Sequence, residues 1–349
     1  MTRSLLCSSR FSSSLSKMLV PGVQYQTLMR GPTDYRSFMV NSRPGSTTPS
    51  TSTCSKPLPT VARRNNSSTS CDDGRGTITT NLTQLSSGKL TTVTICRPRK
   101  LNALNSHLLR SLPATLHDLA DTHPDLIAVV LTGEGQKSFV GGADIAEMAS
   151  ISSPADARAF IERVHEACRS IRDCPVPVIA RVNGIALGAG LEIAAACDVR
   201  VASSNAILGM PEVRLGLPSV VEAALLPRLI GWGRARQLLL LGDTIKADEA
   251  LRWGLVEKVV EPDVLDQAVM EWASSLEKCG PAAVRNQKAL MRRWEELGVD
   301  GAIQASIDHF GQAFEEPSQG GGSGGSEPEP VRMMGEFLKR QSQRKKNKL

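Results

Sequence analysis

No apolar run in the 349-residue sequence approaches the ~18–20 uninterrupted residues that cross a bilayer, so membrane insertion is not expected. The eight cysteines include no CxxC pair and the five histidines are dispersed. That spacing offers neither a zinc-ligand pattern nor a disulfide framework, and it points to a reducing compartment. Acidic side chains are missing from the start of the chain: none precedes Asp34.

Charge is unevenly distributed. Residues 1–71 carry nine Lys/Arg against one acid, and residues 332–349 carry seven against one. Removing those +8 and +6 ends from the formal +6 leaves −8 on the middle. An acidic body with basic ends argues against a nucleic-acid-binding core, though the tail could meet an anionic partner. At the N-terminus, Arg3, Arg10 and Lys17 fall on one helical face. Leu5, Phe11, Leu15, Met18 and Leu19 fall mostly on the other, with Leu6 as the exception. This basic, Ser-rich leader has the pattern of a mitochondrial transit peptide, and residues 20–75 read as an unstructured spacer. The expected organisation is leader and spacer over 1–75, a catalytic body over 76–316, a Gly/Ser/Pro linker over 317–330, and a helix with a basic tail over 331–349. The terminal Asn347-Lys348-Leu349 is near the peroxisomal Ser-Lys-Leu type and keeps that address as the minority reading. Within the linker, Gly321-x-Ser323-x-Gly325 and Gly320-x-Gly322-x-x-Gly325 mimic catalytic and dinucleotide motifs, but neither follows a strand.

The body alternates short strands with helices. Strands are predicted at 90–96, 126–132, 178–182 and 199–202, and helices at 106–121, 155–172, 190–196, 220–230, 282–293 and 301–314. On the 155–172 helix, Phe160, Ile161, Val164, Cys168 and Ile171 form an apolar stripe. An α/β domain of this kind carries its polar chemistry in strand-to-helix loops.

Three such loops stand out. In Gly141-Gly142-Ala143-Asp144 the glycines permit close backbone approach and positive φ, freeing the Ala143 N–H for an acceptor; an ordinary turn is the alternative. In GIALGAGLEIAAACD (184–198) a helix begins near Ala189, whose N–H lacks an internal partner and sits at the positive end of the dipole. Two such amides from different loops make an oxyanion hole. Glu192, one turn in, could serve only the helix dipole, but its neighbours Leu191, Ile193, Ala194 and Ala195 are apolar. A carboxyl held there has a raised pKa, suited to proton transfer near neutrality. In GMPEVRLGLP (209–218), Glu212 follows Glu192 by twenty positions, across one strand. Two carboxyls facing one water can orient it, one taking its proton and the other giving a proton to carbon. Glu222, on the predicted 220–230 helix, reads equally as structural or pocket-lining.

These residues resemble the enoyl-CoA hydratase/isomerase (crotonase) superfamily over about 75–343. The likeness rests on RPRKLNALN (97–105), FVGGADIAEM (139–148), NGIALGAGLEIAAACD (183–198), GMPEVRLGLP (209–218) and GPAAVRNQKAL (280–290). It implies a spiral of ββα units with a C-terminal helical trimerisation region, assembled as a homotrimer or dimer of trimers. It also implies an acyl-CoA thioester held by the N–H groups of Ala143 and Ala189, with Glu192 and Glu212 handling water. Retention of both glutamates favours the hydratase branch over isomerases, which often keep only the later one. By the same likeness Arg99 and Lys100 lie near CoA phosphates and Ala103 near the adenine or pantetheine. Gly142, Asp144, Ile145 and Gly188 line the thioester path, and Phe337 and Arg340 reach a neighbouring subunit's CoA. The alternative for Arg97, Arg99 and Lys100 is a solvated charge cluster. One departure bears on substrate and reaction: where the hydratase branch has a glycine-rich IPGAGG-like turn, this chain has LPSVVEAALLPRL. That places Ser219 near the water and Glu222 beside the acyl pocket.

The expected function is therefore mitochondrial enoyl-CoA hydration, with no metal or redox cofactor. Double-bond isomerase or acyl-CoA hydrolase are alternatives within the enzyme class. An RNA-binding protein using the basic tail is the alternative outside it, and a catalytically dead scaffold is disfavoured by the two glutamates and two oxyanion loops.

Overall fold

The computed structural model describes residues 74–315 and 327–346. The leader and most of the spacer, the core of the linker with its two mimic motifs, and Asn347-Lys348-Leu349 lie outside the described residues. In chain order the strands are β1 (Thr77–Gln84), β2 (Lys89–Cys96), β3 (Leu126–Gly133), β4 (Ser138–Val140), β5 (Val178–Val182), β6 (Ile185–Leu187), β7 (Val199–Ser203), β8 (Ile207–Gly209), β9 (Thr244–Lys246) and β10 (Lys258–Val260). The helices are α1 (Ser106–Thr122), α2 (Ile145–Ala149), α3 (Pro154–Arg172), α4 (Ala189–Ala196), α5 (Leu226–Leu241), α6 (Ala247–Trp253), α7 (Leu265–Leu276), α8 (Pro281–Glu296), α9 (Val299–Gln312) and α10 (Glu329–Lys346).

Six strands form one sheet in the order β1-β2-β3-β5-β7-β10, antiparallel between β1 and β2 and parallel from there on. A second sheet runs β4-β6-β8-β9, with β4, β6 and β8 mutually parallel. Parallel strands need both faces covered, and β3 obeys. Val129 and Leu131 join the main core, while Ala128 and Val130 pack with Leu265, Ala268, Val269 and Ala273 of α7. On the core side, α1 buries Leu108, Leu109, Leu112, Leu116 and Leu119. Each such leucine contributes about 1.5–3 kcal/mol by leaving water. α1 starts at Asn105, whose side chain accepts from Leu108 N–H; α3 starts at Ser153, which accepts from Asp156 N–H, with Pro154 behind it. Of the predicted α3 stripe, Phe160, Val164, Cys168 and Ile171 are buried and Ile161 is half-buried.

Two buried asparagines pin the passage from the large sheet to the small one. Asn102, in the left-handed region at φ 57°, accepts from Arg97 N–H and donates to the carbonyls of Glu134 and Ser138. Asn183 donates to the carbonyls of Gly133, Gly135 and Ser138. Buried amides with this many partners fix the β3–β4 turn in one arrangement.

Three expectations need correcting. The 220–230 helix is instead a 3-10 turn, Val221–Leu225, followed by α5, itself broken at Gly231, whose φ of 76° and ψ of 157° are not helical. Cys96 is disulfide-bonded, which a cysteine spacing that offered no disulfide framework did not announce. Strands β1, β4, β6, β8, β9 and β10 were not predicted: the last five have three residues each and cannot display a period, and the eight-residue β1 is mostly polar and exposed. No helix among the described residues is long and apolar enough to cross a membrane, and no metal-holding cluster occurs among them.

Candidate functional site

The small sheet assembles the site. Its three parallel strands end side by side, and the loops leaving β4, β6 and β8 carry Ala143, then Ala189 with Glu192, then Glu212. Residues separated by decades in sequence meet because parallel strands deliver their C-terminal loops to one edge.

Ala143 is oriented from behind. Leu104 supplies both bonds of an isolated parallel bridge to it, donating to Gly142 O at 2.8 Å and accepting from Asp144 N at 2.8 Å. In such a bridge one residue makes both bonds, so the N–H of the opposite residue, Ala143, faces away. Just before it, a Cβ on Gly142 would stand 3.2 Å from Leu187 O, so this loop runs close against the end of β6. The Ala189 N–H opens α4 and so has no helical acceptor. Gly188 before it adopts φ 53° and ψ −123°, a conformation open to glycine alone. A Cβ there would lie 2.3 Å from Glu212 Oε1, so the missing side chain is what lets that carboxyl reach the start of α4. Gly190 likewise allows α4 to sit on β4, since its Cβ would stand 2.0 Å from Val140 O.

Glu192 is 4% exposed, and its Oε1 accepts from Ala223 N–H at 3.2 Å. Burial first, and then the charge of Glu212, raise its pKa from 4.5 to about 8; the Ala223 N–H opposes the rise and Glu222 adds to it. Glu212 is half-buried and opens a 3-10 turn, and its Oε2 accepts from Ser219 Oγ at 2.8 Å. The structure thus brings Glu192, Glu212, Ser219, Gly188, Gly142, Ala143 and Ala189 together.

Glu222 lies behind this group. It is 3% exposed, its Oε1 is 2.9 Å from His165 Nδ1 and 3.7 Å from Arg172 Nη1, and its buried Oε2 has no partner among the described residues. His165, Cys168 and Arg172 fall on one face of α3 by their spacing. That spacing was visible in the sequence, but nothing there linked it to Glu222. Burial, followed by the charges of Glu222 and Glu192, keeps the Cys168 thiol well above its ordinary range.

The basic loop divides into structural and exposed parts. Arg97 is no solvated charge: buried, it donates to the carbonyls of Gly74 and Ala103 and pairs with Asp144 Oδ2 at 2.6 Å. Asp144 also accepts from Ala146 and Glu147 N–H as the cap of α2. Burial works against its ionisation, but the Arg97 bond, those amides and the Arg97 charge outweigh it and hold the carboxyl below its usual value. The Asp144 carboxylate is therefore committed to fixing the Ala143 loop rather than turned to a substrate. Arg99 and Lys100 are exposed on the 3-10 turn Pro98–Lys100, Ala103 is half-buried, and Ile145 is 60% exposed at the start of α2. Phe337 and Arg340 are not brought to the site within one chain. Phe337 is 64% exposed on α10, Arg340 bonds Glu336 of the same helix, and α10 is tied to the start of α8 by Glu329, which accepts from Ala282 and Ala283 N–H.

Comparison with known proteins agrees with this geometry. A family model described as enoyl-CoA hydratase/isomerase matches residues 86–324. The short-chain-enoyl-CoA hydratase of Clostridium acetobutylicum is 43% identical over 233 residues, covering 66% of this chain and 88% of that protein. The crotonyl-CoA hydratase of Syntrophomonas wolfei is 43% identical over 227 residues, covering 65% and 86%. The crystal structure of an enoyl-CoA hydratase from Bacillus anthracis superposes with a TM-score of 0.63 at 32% identity, covering 67% of this chain and 89% of that one.

Proposed function

Since the chain belongs to the enoyl-CoA hydratase/isomerase family, we propose that this enzyme adds water to a short trans-2-enoyl-CoA to give the 3-hydroxyacyl-CoA. The thioester oxygen accepts from the Ala143 and Ala189 N–H groups, which stabilise the negative charge that grows there as water attacks C3. Glu192 and Glu212 divide the proton traffic. One removes a proton as the water oxygen bonds to C3, and the other delivers a proton to C2, so the reaction balances with water alone. Burial favours the protonated form of Glu192, which suits it to the donor role, and the Ser219 hydroxyl aligns Glu212.

The observation that carries this reading is the buried Glu192 beside Glu212, on loops that also carry the Ala143 and Ala189 amides. An isomerase moves one proton between carbons and has no need of a second carboxyl to manage water. A short acyl group is supported by the names of the two relatives at 43% identity. Val220 and Val221, bulkier than the alanine and glycine the resemblance leads one to expect, support it too. Exposed Val299, Ile303, Ile307 and Phe310, spaced along one face of α9, support assembly with further copies of the chain.

The test is to incubate purified protein with crotonyl-CoA and follow loss of the conjugated thioester absorbance across a chain-length series. Turnover far above a Glu192→Gln control, falling as the chain lengthens, is expected. No turnover above that control overturns the hydratase reading; shifted double bonds without hydration, or free CoA thiol, would select isomerase or hydrolase instead.

A further inference from the structure

Glu222 is the buried carboxyl that the hydration scheme leaves unused. It sits in a polar cluster with His165, Cys168 and Arg172 from α3, and with Glu192 from α4. Its contacts are lopsided: Oε1 hydrogen-bonds with His165 Nδ1 and lies 3.7 Å from Arg172, whose own hydrogen bond goes to Glu295, while the buried Oε2 has no hydrogen-bond partner among the described residues although the Cys168 thiol lies beside the carboxyl. A carboxylate kept for its own solvation would not leave an oxygen unpaired, so the anchoring of Oε1 is the feature to explain.

The backbone on either side explains it. Val221, immediately before, is held at φ 39°, in a region that a β-branched residue avoids. Such strain persists only where the surroundings fix the chain, and here Glu222 is tied to α3. Immediately after, Ala223 N–H is shared between Val220 O within the turn, at 2.9 Å, and Glu192 Oε1, at 3.2 Å. Three consecutive residues therefore form an anchor in the middle, a strained joint before it and the contact to Glu192 after it.

We propose that Glu222 is a positioning residue for this hydratase: its attachment to His165 and Arg172 holds the strained turn at Val221, and through that turn the Ala223 N–H that fixes the Glu192 carboxyl. The proposal rests on the reading of Glu192 as a catalytic group. Glu192 is faced by Glu212 from the turn after β8, by Glu222 and by Cys168, so removing the Glu222 charge also lowers its affinity for a proton.

The full chain is tested as Glu222→Ala, Glu222→Gln, and Glu222→Ala combined with Val221→Gly. Losing the anchor in Glu222→Ala is expected to reduce kcat on crotonyl-CoA at least about tenfold, with KM within about twofold. Glu222→Gln keeps an acceptor for His165 and recovers most of kcat. Adding Val221→Gly to the Ala variant also recovers kcat, because glycine occupies positive φ without strain and the turn stays in place unanchored. A second readout needs no turnover: the Glu192 ionisation followed through the pH dependence of unfolding. In the Ala background, Val221→Gly lowers that ionisation, since the regained Ala223 N–H favours the carboxylate. Wild-type kcat in Glu222→Ala, equal loss in the Ala and Gln variants, or an Ala defect that Val221→Gly leaves unchanged would each overturn the proposal. If Glu222→Ala does not fold, His165→Leu removes the hydrogen-bonding partner of Glu222 instead and carries the same expectations. A wild-type protein inert toward crotonyl-CoA defeats the hydratase reading alone, and the unfolding readout still decides the anchor.

Discussion

Replacing Glu192 by Gln should stabilise the protein while abolishing its activity, and the size of the gain follows from the buried carboxyl. In the folded chain Glu192 titrates at about 8, against 4.5 in water. Because the folded pKa is raised, the unfolded chain holds fewer protons than the folded one between those values, and the free energy of unfolding falls as pH rises. The penalty is absent below pH ~4.5, grows by about 1.4 kcal/mol per pH unit, and is complete above pH ~8 at about 5 kcal/mol. Glutamine fits the same space and its amide oxygen can still accept from Ala223 N–H, so the variant keeps the packing and loses only the titration. Urea unfolding of both proteins at pH 5, 6, 7, 8 and 9 gives two curves that nearly meet at pH 5. They separate to several kcal/mol in favour of Gln at pH 9, while kcat falls about 10²–10⁴-fold. Groups common to both proteins cancel in the difference. Curves that stay parallel within about 0.5 kcal/mol from pH 5 to 9 would refute the claim that burial holds this proton, and with it the assignment of Glu192 as donor.

Three further outcomes follow. Gly188→Ala places a methyl group 2.3 Å from Glu212 Oε1 at φ 53°, so it should displace that carboxyl and cut kcat about 100-fold or more, with a lower Tm in calorimetry; unchanged kinetics would mean Glu212 takes no part. Arg97→Met leaves the Asp144 carboxylate buried without its cation and should cost about 3–5 kcal/mol in urea unfolding, and Arg97→Met with Asp144→Asn should recover part of it; full stability in the single variant would show the pair to be ornamental. Ile303→Asp with Phe310→Asp puts charges on the exposed α9 stripe and should convert an oligomer to monomers in light scattering, whereas an unaltered mass would place the subunit contact elsewhere.

The length over which a physical signal repeats accounts for part of what the sequence disclosed, although the eight-residue, mostly exposed β1 was missed as well. The buried strand 178–182 was predicted to the residue, and α3 and α4 to within one at their starts, because caps and apolar periods extend over several turns. β4, β6 and β8 escaped for the opposite reason: at three residues each they have no period, although they bring the candidate site together. Ala143, Ala189, Glu192 and Glu212 were legible nonetheless, since glycine-rich turns and a carboxyl in apolar surroundings are local anomalies. The pairing of Arg97 with Asp144 was not foreseen, because a salt bridge spanning 47 positions leaves no trace in either segment alone. Glu222 was placed on a helix; nothing in VVEAALLP announces that its first turn is 3-10 and that the second valine is left-handed.

Several costly features of the fold sit close together. A carboxyl ionising near pH 8, an unpaired carboxylate oxygen and a left-handed valine all lie between Glu192 and Glu222, each of them unfavourable for folding on its own. The rigid elements lie outside that interval: Asn102 and Asn183 on the β3–β4 turn, and Arg97 clamped to Asp144. Such a division is what catalysis by positioned groups requires. On the proposed reading, the Ala143 and Ala189 amides must stay put while charge develops, and the side chains behind the Ala143 loop are hydrogen-bonded. On the same reading Glu192 gives up and regains a proton in each cycle, so its surroundings must make neither protonation state overwhelmingly favoured. A site relaxed to the stability optimum would ionise Glu192 near 4.5 and leave it a poor donor at neutral pH; the strain beside it is thus bound up with the chemistry it performs.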